Sequence, residues 1–195
     1  AGELAQVEAA LVERGLGDDQ RTAVLGILGS GRRGDVLIGP AGSGKSFTVA
    51  ALAEQWQKRV GGPVVGLATS QIAAQVLEEE GLNAHNIARW LQAYEPDERT
   101  GEARATLPAG ALLVIDETGM SATDQLDRVR RIAERSGAKL LWTGDHEQLD
   151  AVGAGGALRM LARGQVQELG VEDGRRFRAG WEQDASLGLR SGSRE

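Results

Sequence analysis

The sequence predicts an α/β domain in which a parallel β-sheet of about five strands lies between two layers of helices. Short apolar runs alternate with amphipathic segments along the chain, and this alternation is typical of a parallel sheet covered on both faces. A glycine-rich stretch at residues 38–51, LIGPAGSGKSFTVA, joins the first predicted strand to a helix. A chain of 195 residues, 41% of them hydrophobic, is large enough for one such core.

The individual elements follow from the spacing of apolar residues. Apolar runs predict strands at residues 35–39, 63–68, 111–117 and 139–145, with a weaker one at 166–169. Apolar residues three and four apart predict helices at 3–15, 18–31, 45–59, 69–81, 86–94, 121–137 and 156–164, and one more near the end of the chain. Asp18 is the expected N-cap of the second helix, and Ser70 or Thr69 that of the fourth. Residues 95–109 are polar and predict a loop.

Composition limits the possible functions. No apolar run reaches the roughly 18 residues of a membrane span, and no charged leader precedes an apolar stretch. The chain contains no cysteine, which excludes disulfides and thiolate metal sites and fits a cytoplasmic location. The net charge is −6, so a broad basic surface for duplex DNA is not expected, and any contact with nucleic acid must be local.

The glycine-rich stretch carries the most specific chemistry. Gly39, Gly44, Lys45 and Ser46 fit the phosphate-loop pattern G-x-x-x-x-G-K-[S/T], with a strand before it and a helix after it. In such a loop, backbone N–H groups surround phosphate oxygens, the lysine reaches the β- and γ-phosphates, and the hydroxyl group ligates Mg²⁺. The predicted ATP-binding residues are Gly39, Pro40, Ala41, Gly42, Ser43, Gly44, Lys45, Ser46 and Phe47.

Two acidic residues end the third predicted strand, LLVIDE. Asp116 is placed to hold Mg²⁺ and Glu117 to polarise the attacking water. The chain has no Asn-Lys-x-Asp tetrapeptide, so it is not expected to be a GTP switch. A small kinase would need a mobile lid and an acceptor site, for which only the loop at 95–109 is available. The pair of acidic residues favours a hydrolytic motor.

The order of these motifs resembles the first RecA-like motor domain of superfamily 1 DNA helicases. The closest subgroup is the RecD-like motors, especially the helicase portions of conjugative relaxases, and the resemblance covers roughly residues 17–190. It implies a three-layer P-loop NTPase fold of the RecA-like type, with ATP and Mg²⁺ as cofactors. It also implies two partners, single-stranded DNA and a second RecA-like domain of the parent protein.

The resemblance assigns roles to residues outside the phosphate loop. Gln20, in the stretch GDDQRTAV, would contact the edge of the adenine ring. Four residues around the second strand and the helix at 86–94 would contact the DNA: Thr69, Ser70, His85 and Asn86. Helix capping is a second role open to Thr69 and Ser70.

Two further roles fall in the last third of the chain. Gln148, in TGDHEQLD, would sense the γ-phosphate and link it to the grip on DNA. Arg176, in GRRFRAGWE, would approach the γ-phosphate, with Arg175 and Arg178 as competitors for that role. The catalytic set implied by the resemblance is therefore Lys45, Glu117, Gln148 and Arg176. Thr118 departs from the alanine more common after the acidic pair, which leaves both carboxylates intact.

The predicted organisation is one motor domain without its partner domain. Residues 1–33 form N-terminal helices of the same domain, 34–174 the ATPase domain, and 175–195 a segment leading toward a second motor domain that the chain does not contain. We therefore expect weak ATP hydrolysis and no unwinding by this chain alone. A different P-loop phosphotransferase and a non-catalytic scaffold module are the alternatives.

Overall fold

The computed structural model of the protein describes residues 2–40, 42–97, 99–116, 123–144 and 166–170. The helices in these ranges are α1 Gly2–Glu13, α2 Asp18–Gly29, α3 Lys45–Arg59, α4 Gln71–Glu79, α5 Ile87–Tyr94 and α6 Thr123–Ser136. The strands are β1 Gly34–Ile38, β2 Val64–Ala68, β3 Asn83–Asn86, β4 Leu112–Ile115, β5 Lys139–Gly144 and β6 Val166–Glu168. The helices predicted at 156–164 and near the end of the chain lie outside the described residues.

All six strands belong to one sheet, in the order β3-β2-β4-β5-β1-β6. Each neighbouring pair is parallel, so the carboxyl ends of all six strands lie along the same edge. In three of the five pairs the last residues of the two strands are partners, for example Ile38 with Gly144 and Ala68 with Asn86. β4 ends slightly earlier, with Ile115 opposite Leu67 and Trp142. Ligands of open parallel sheets bind at this carboxyl edge.

Helices cover both faces of the sheet, which confirms the predicted three-layer fold. On one face, helices α1 to α4 pack against strand residues such as Leu37, Val114 and Leu141. On the other face, α5 and α6 pack against Ile38 and Trp142 among others. Adjacent strand residues go to opposite cores because strand side chains alternate between the two faces of the sheet.

One strand was not predicted. β3 has the sequence Asn-Ala-His-Asn, of which only Ala84 is buried, so it has no apolar run that would predict a strand. It lies at the edge of the sheet and pairs with β2. The five strands predicted from apolar runs are all present.

The predicted N-cap of α2 was wrong by one residue. The helix begins at Asp18, and Gly17 occupies the N-cap position. The backbone N–H of Gly17 donates to Oε1 of Gln20, 3.0 Å away. This is one of the two bonds of a capping box, and in place of the other the N–H of Gln20 donates to Oδ1 of Asp19 at 2.8 Å. At α4 the prediction is confirmed, because Oγ of Ser70 accepts from the N–H of Ala73 at 3.0 Å.

A buried ion pair joins β1, β5 and the end of α2 near the amino ends of the strands. Nζ of Lys139 lies 2.7 Å from Oδ2 of Asp35, and the two side chains are only 8% and 2% exposed. The same ammonium group donates to Oγ of Ser30 at 2.7 Å and to the carbonyl of Ile27 at 2.8 Å. Ser30 in turn donates to Asp35 at 2.7 Å, so the charges sit within a hydrogen-bonded network.

In the described part of the chain, no helix has both the length and the apolar character needed to cross a membrane.

Candidate functional site

The phosphate loop leaves the carboxyl end of β1 and leads into α3. Gly42 and Gly44 have φ angles of +84° and +80°, in the left-handed region that glycine adopts without strain. At Gly39, an added Cβ would lie 2.5 Å from Oγ of Ser43, closer than real Cβ atoms approach a neighbour. The left-handed angles at Gly42 and Gly44 thus let the backbone curve where the sequence predicted a phosphate loop, and Gly39 leaves room for the Ser43 side chain.

Lys45 is the first residue of α3, and its side chain turns back over the loop. Its ammonium group donates to the carbonyl oxygens of Gly39 and Pro40, the latter at 3.1 Å. The N–H of Gly39 donates to the carbonyl of Gly144 at 3.2 Å, which fastens the start of the loop to the end of β5. A positive charge and the N-terminus of a 15-residue helix therefore meet at the loop, an arrangement that favours anions.

Phe47 lies in the first turn of the same helix and is 42% exposed. The guanidinium carbon of Arg14 lies 5.4 Å from the centroid of its ring. This distance is within the range of a cation–π interaction. Arg14 also forms an ion pair with Glu54, so its position beside the ring is fixed by α3 itself.

Gln20, in the first turn of α2, is fully buried and contacts backbone carbonyl groups of the phosphate loop. Its Nε2 donates to the carbonyl of Gly44 at 3.2 Å and to that of Ser43 at a longer 3.5 Å. Its Oε1 accepts from Gly17, as described above. The predicted adenine-contacting residue thus has other partners in this structure, and its contact with adenine stays a prediction.

Asp116 follows β4, two strands away from the phosphate loop, with β5 between them. The hydroxyl group of Thr143, on β5, donates to Oδ1 of Asp116 at 2.6 Å. The N–H of Asp116 donates to the carbonyl of Leu67 at 2.9 Å, so hydrogen bonds fix both the backbone and the side chain of this residue. Sequence reasoning missed Thr143 because it is an ordinary β-branched residue inside an apolar strand.

The oxygen donors at this edge fit a magnesium ion. Ser46 supplies a partly exposed hydroxyl group at the start of α3, and Asp116 a partly exposed carboxylate. Magnesium prefers hard oxygen ligands and is typically held by one or two protein groups, substrate phosphates and water. The described residues contain no cluster of three acidic, histidine or cysteine side chains, so a cage made by the protein alone is not present among them.

The four predicted DNA-contacting residues lie together at the ends of β2 and β3. Nδ2 of Asn86 donates to the carbonyl of Thr69 at 3.0 Å, and Oδ1 of Asn86 caps α5 by accepting from Ala88 at 3.0 Å. Ser70 caps α4. His85, partly exposed, precedes Asn86 on β3. Two capped helix N-termini therefore lie side by side at this part of the edge.

The remaining predicted site residues lie outside the described residues. They are Ala41, Glu117, Gln148 and Arg176, together with the alternatives Arg175 and Arg178. Gly144, the last described residue of β5, precedes Gln148 by four positions. The chain that carries Gln148 thus starts between the phosphate loop and the ends of β4 and β2.

A six-stranded parallel sheet with this loop between β1 and α3 defines a P-loop nucleoside triphosphatase fold. A protein-family model described as AAA domain matches residues 15–195, and the chain belongs to this family.

Two bacterial proteins with related sequences are proteins of conjugal transfer. A probable conjugal transfer protein TraA from Sinorhizobium fredii is 36% identical over 179 residues, which is 91% of this chain and 15% of the relative. The multifunctional conjugation protein TraI of Escherichia coli is 28% identical over 162 residues, 80% of this chain and 9% of that protein. The chain therefore spans less than a fifth of the length of either relative.

Among solved structures, the Pif1 helicase of Candida albicans has the same fold. The TM-score is 0.61 with 18% identity, over 90% of this chain and 44% of that one. At this identity the likeness concerns the fold alone. Together these findings confirm the predicted fold and the predicted resemblance to proteins of conjugal transfer.

Proposed function

We propose that this chain is the ATP-hydrolysing motor domain of a larger protein and couples ATP hydrolysis to movement on single-stranded DNA. The observation that carries the proposal is the order of features along the carboxyl edge of the sheet. The phosphate loop follows β1, the predicted metal ligand Asp116 follows β4, and the predicted DNA-contacting residues either follow β2 or are the last residues of β3. The strand between the first two, β5, leads directly into the segment predicted to sense the γ-phosphate.

The nucleotide would bind with its phosphates in the loop of residues 39–46. Backbone N–H groups and the N-terminus of α3 would bind phosphate oxygens, and Lys45 would exchange its two carbonyl partners for the β- and γ-phosphates. Ser46 and Asp116 would hold magnesium, which when bound neutralises phosphate charge. Phe47, exposed at the start of α3, is proposed to flank the nucleotide.

In hydrolysis, a water oxygen bonds to the γ-phosphorus while the bond from that phosphorus to the β–γ bridging oxygen breaks, which releases ADP and phosphate. Glu117 would accept a hydrogen bond from this water and orient it. Lys45 would stabilise the charge on the phosphates, and Arg176 would add a second positive charge. Gln148 would report the presence of the γ-phosphate.

The DNA track would run along the ends of β2 and β3. Thr69, Ser70, His85 and Asn86 offer hydroxyl, imidazole and amide groups beside two helix N-termini, which suits contacts to the phosphate backbone of a single strand. Parallel strands are spaced about 4.8 Å apart, so the ends of β2 and β3 lie about 14 and 19 Å from the strand that carries the phosphate loop, across three and four strand spacings. A small shift of the segment after β5 would therefore affect both the DNA track and the phosphate loop.

The chain covers only 15% and 9% of the length of the TraA and TraI relatives, which supports a larger parent protein. We propose the domain boundaries predicted from the sequence, with residues 175–195 leading toward a second RecA-like domain. Since conjugal transfer proteins are the relatives found, we propose a conjugation protein as the parent. The isolated chain is then expected to hydrolyse ATP slowly and not to unwind duplexes.

The test is ATP hydrolysis by the chain, with and without a single-stranded oligothymidine. We expect slow turnover that the DNA accelerates. Lys45→Ala and Glu117→Gln should each lower it by about a hundredfold or more, the size typical for removing a group that acts in the transition state. Lys58→Ala, a change of an exposed lysine at the other end of α3, is the matched control.

Three results would contradict the proposal. The first is turnover that DNA does not change, the second is turnover that survives Glu117→Gln, and the third is efficient unwinding by the chain alone. Transfer of phosphate to an added nucleoside or polynucleotide acceptor instead of water would favour a phosphotransferase.

A further inference from the structure

We propose that Gln20 is a positioning residue that braces the phosphate loop through the carbonyl groups of Ser43 and Gly44. The inference rests on the proposed function, because it concerns the same nucleotide site. It gives Gln20 a role that acts on the phosphates through the loop and does not depend on the base.

The burial of Gln20 is the first argument. Its side chain has no exposed surface, and its amide group is used at both ends. Oε1 accepts from Gly17, and Nε2 donates to Gly44 at 3.2 Å and to Ser43 at 3.5 Å. A primary amide has two N–H donors, so these bonds occupy its donor capacity. Contact with an adenine ring would require Gln20 to leave this buried position.

The geometry of the peptide bond gives the brace its function. Each peptide unit is planar and trans, so a C=O and the N–H of the next residue point in opposite directions. The carbonyls of Ser43 and Gly44 belong to the peptide units that carry the N–H groups of Gly44 and Lys45. Gln20 holds the two carbonyl groups on its own side of the loop. The two N–H groups therefore point to the side away from Gln20, where phosphates bind in such loops.

Further contacts make the brace rigid. The carbonyl of Gly44 also accepts from the N–H and the Oγ1 of Thr48, both at 2.9 Å. Gly44 has a left-handed φ of +80° at the junction of loop and helix, where the backbone could otherwise rotate. Beside Gln20, Oδ2 of Asp19 accepts from the N–H of Gly170 at 2.9 Å, which anchors the first turn of α2 to the chain after β6.

The decisive measurement compares ligands that share phosphates and differ in the base. Binding of ATP, GTP and inorganic tripolyphosphate, each with Mg²⁺, is measured by calorimetry for the full chain and for Gln20→Met. If Gln20 braces the loop, the variant loses affinity for all three ligands by the same factor, about fivefold to tenfold for the loss of one or two hydrogen bonds. A loss confined to ATP, with tripolyphosphate binding unchanged, would overturn the proposal and establish adenine contact.

A matched control and a ligand-free readout complete the design. Gln55→Met changes a second buried glutamine, which lies in α3, about 15 Å along that helix from Lys45. This variant should leave the affinities for all three ligands unchanged. Hydrogen–deuterium exchange of residues 42–46 without ligand should be faster in Gln20→Met than in the wild type. Unchanged exchange in this loop would count against the brace even if the chain bound no nucleotide at all.

If Gln20→Met does not fold, Gln20→Glu takes its place. That variant keeps an acceptor for Gly17 and loses the two donors to the loop. Its added negative charge weakens the binding of every phosphate ligand. The criterion is then the factor by which the affinity for ATP falls, divided by the factor by which the affinity for tripolyphosphate falls. A ratio near one supports the brace, and a ratio of about ten or more contradicts it, because loss of a base contact affects ATP alone.

Discussion

The hydroxyl group of Thr143 donates a hydrogen bond of 2.6 Å to the carboxylate of Asp116, across the boundary between β5 and β4. Thr143 is 2% exposed, so the bond is shielded from water although the carboxylate itself is partly exposed. The orientation of the proposed metal ligand therefore depends on a side chain of the neighbouring strand.

Replacing Thr143 by valine is expected to weaken magnesium-dependent nucleotide binding. Valine keeps the shape but removes the donor that fixes the Asp116 carboxylate, so a modest loss of about threefold to tenfold is expected, the net value of a typical intramolecular hydrogen bond. A magnesium titration of ATP binding measures it. Thr143→Ser keeps the hydroxyl group and should retain most of the affinity, whereas equal losses in both variants would point to packing.

Lys139→Met is expected to destabilise the fold strongly. The change leaves Asp35 as a buried carboxylate without its ammonium partner, and breaking a buried pair in this way costs about 3–5 kcal/mol. Denaturant unfolding measures the loss. The double variant Lys139→Met with Asp35→Leu should recover much of the stability, since replacing both charges by apolar groups is often close to neutral. No recovery would mean that the hydrogen bonds to Ser30 and Ile27 carry the effect.

The ion pair of Glu95 with Arg128 predicts a pH-dependent contribution to stability. Arg128 donates two hydrogen bonds to the Glu95 carboxylate, at 2.6 and 2.5 Å, and these lower the pKa of Glu95 below its usual value. Because the folded-state pKa is lowered, the stabilisation is present above the unfolded-state pKa of about 4.3 and is lost as the pH falls through the folded-state value.

The measurement for this pair is the free energy of unfolding of wild type and Glu95→Gln between pH 7 and pH 3. Both side chains are partly exposed, so the difference at pH 7 should not exceed about 1 kcal/mol after solvent screening. It should shrink toward zero at acid pH. Glu78→Gln, a change of an exposed carboxylate on α4, serves as the control, and a difference that grows on acidification would refute the assignment.

Gly62→Ala is expected to destabilise the protein by about 1–3 kcal/mol, the range for forcing an extra carbon into a packed site. An added Cβ would lie 1.9 Å from the carbonyl oxygen of Gly110, a backbone atom that cannot move aside easily. Thermal unfolding measures the loss. Gly29→Ala is the matched control at the end of α2, where a Cβ meets no atom within 4 Å among the described residues, and it should be neutral or slightly stabilising.

Local pattern was sufficient to predict the sheet and the phosphate loop, because apolar strands and a glycine-lysine loop leave a direct trace in the sequence. The edge strand β3 left none, since one face of it is polar and its backbone pairing with β2 determines its conformation. The partners of Gln20 and Thr143 could not be predicted either. Both depend on how α2 and β5 pack against elements far away in sequence, which neither periodicity nor capping rules specify.

Because all strands of the sheet run in the same direction, the buried ion pair that stabilises the fold and the proposed functional site lie at opposite edges of the sheet. The charged network of Lys139 and Asp35 lies near the amino edge, and every described residue proposed to touch nucleotide or DNA lies at the carboxyl edge. The chain has no cysteine, so a single cysteine introduced at exposed Lys58, at the far end of α3, would be a unique attachment point. A fluorophore or surface tether placed there would let single molecules be followed on DNA while the working edge stays open.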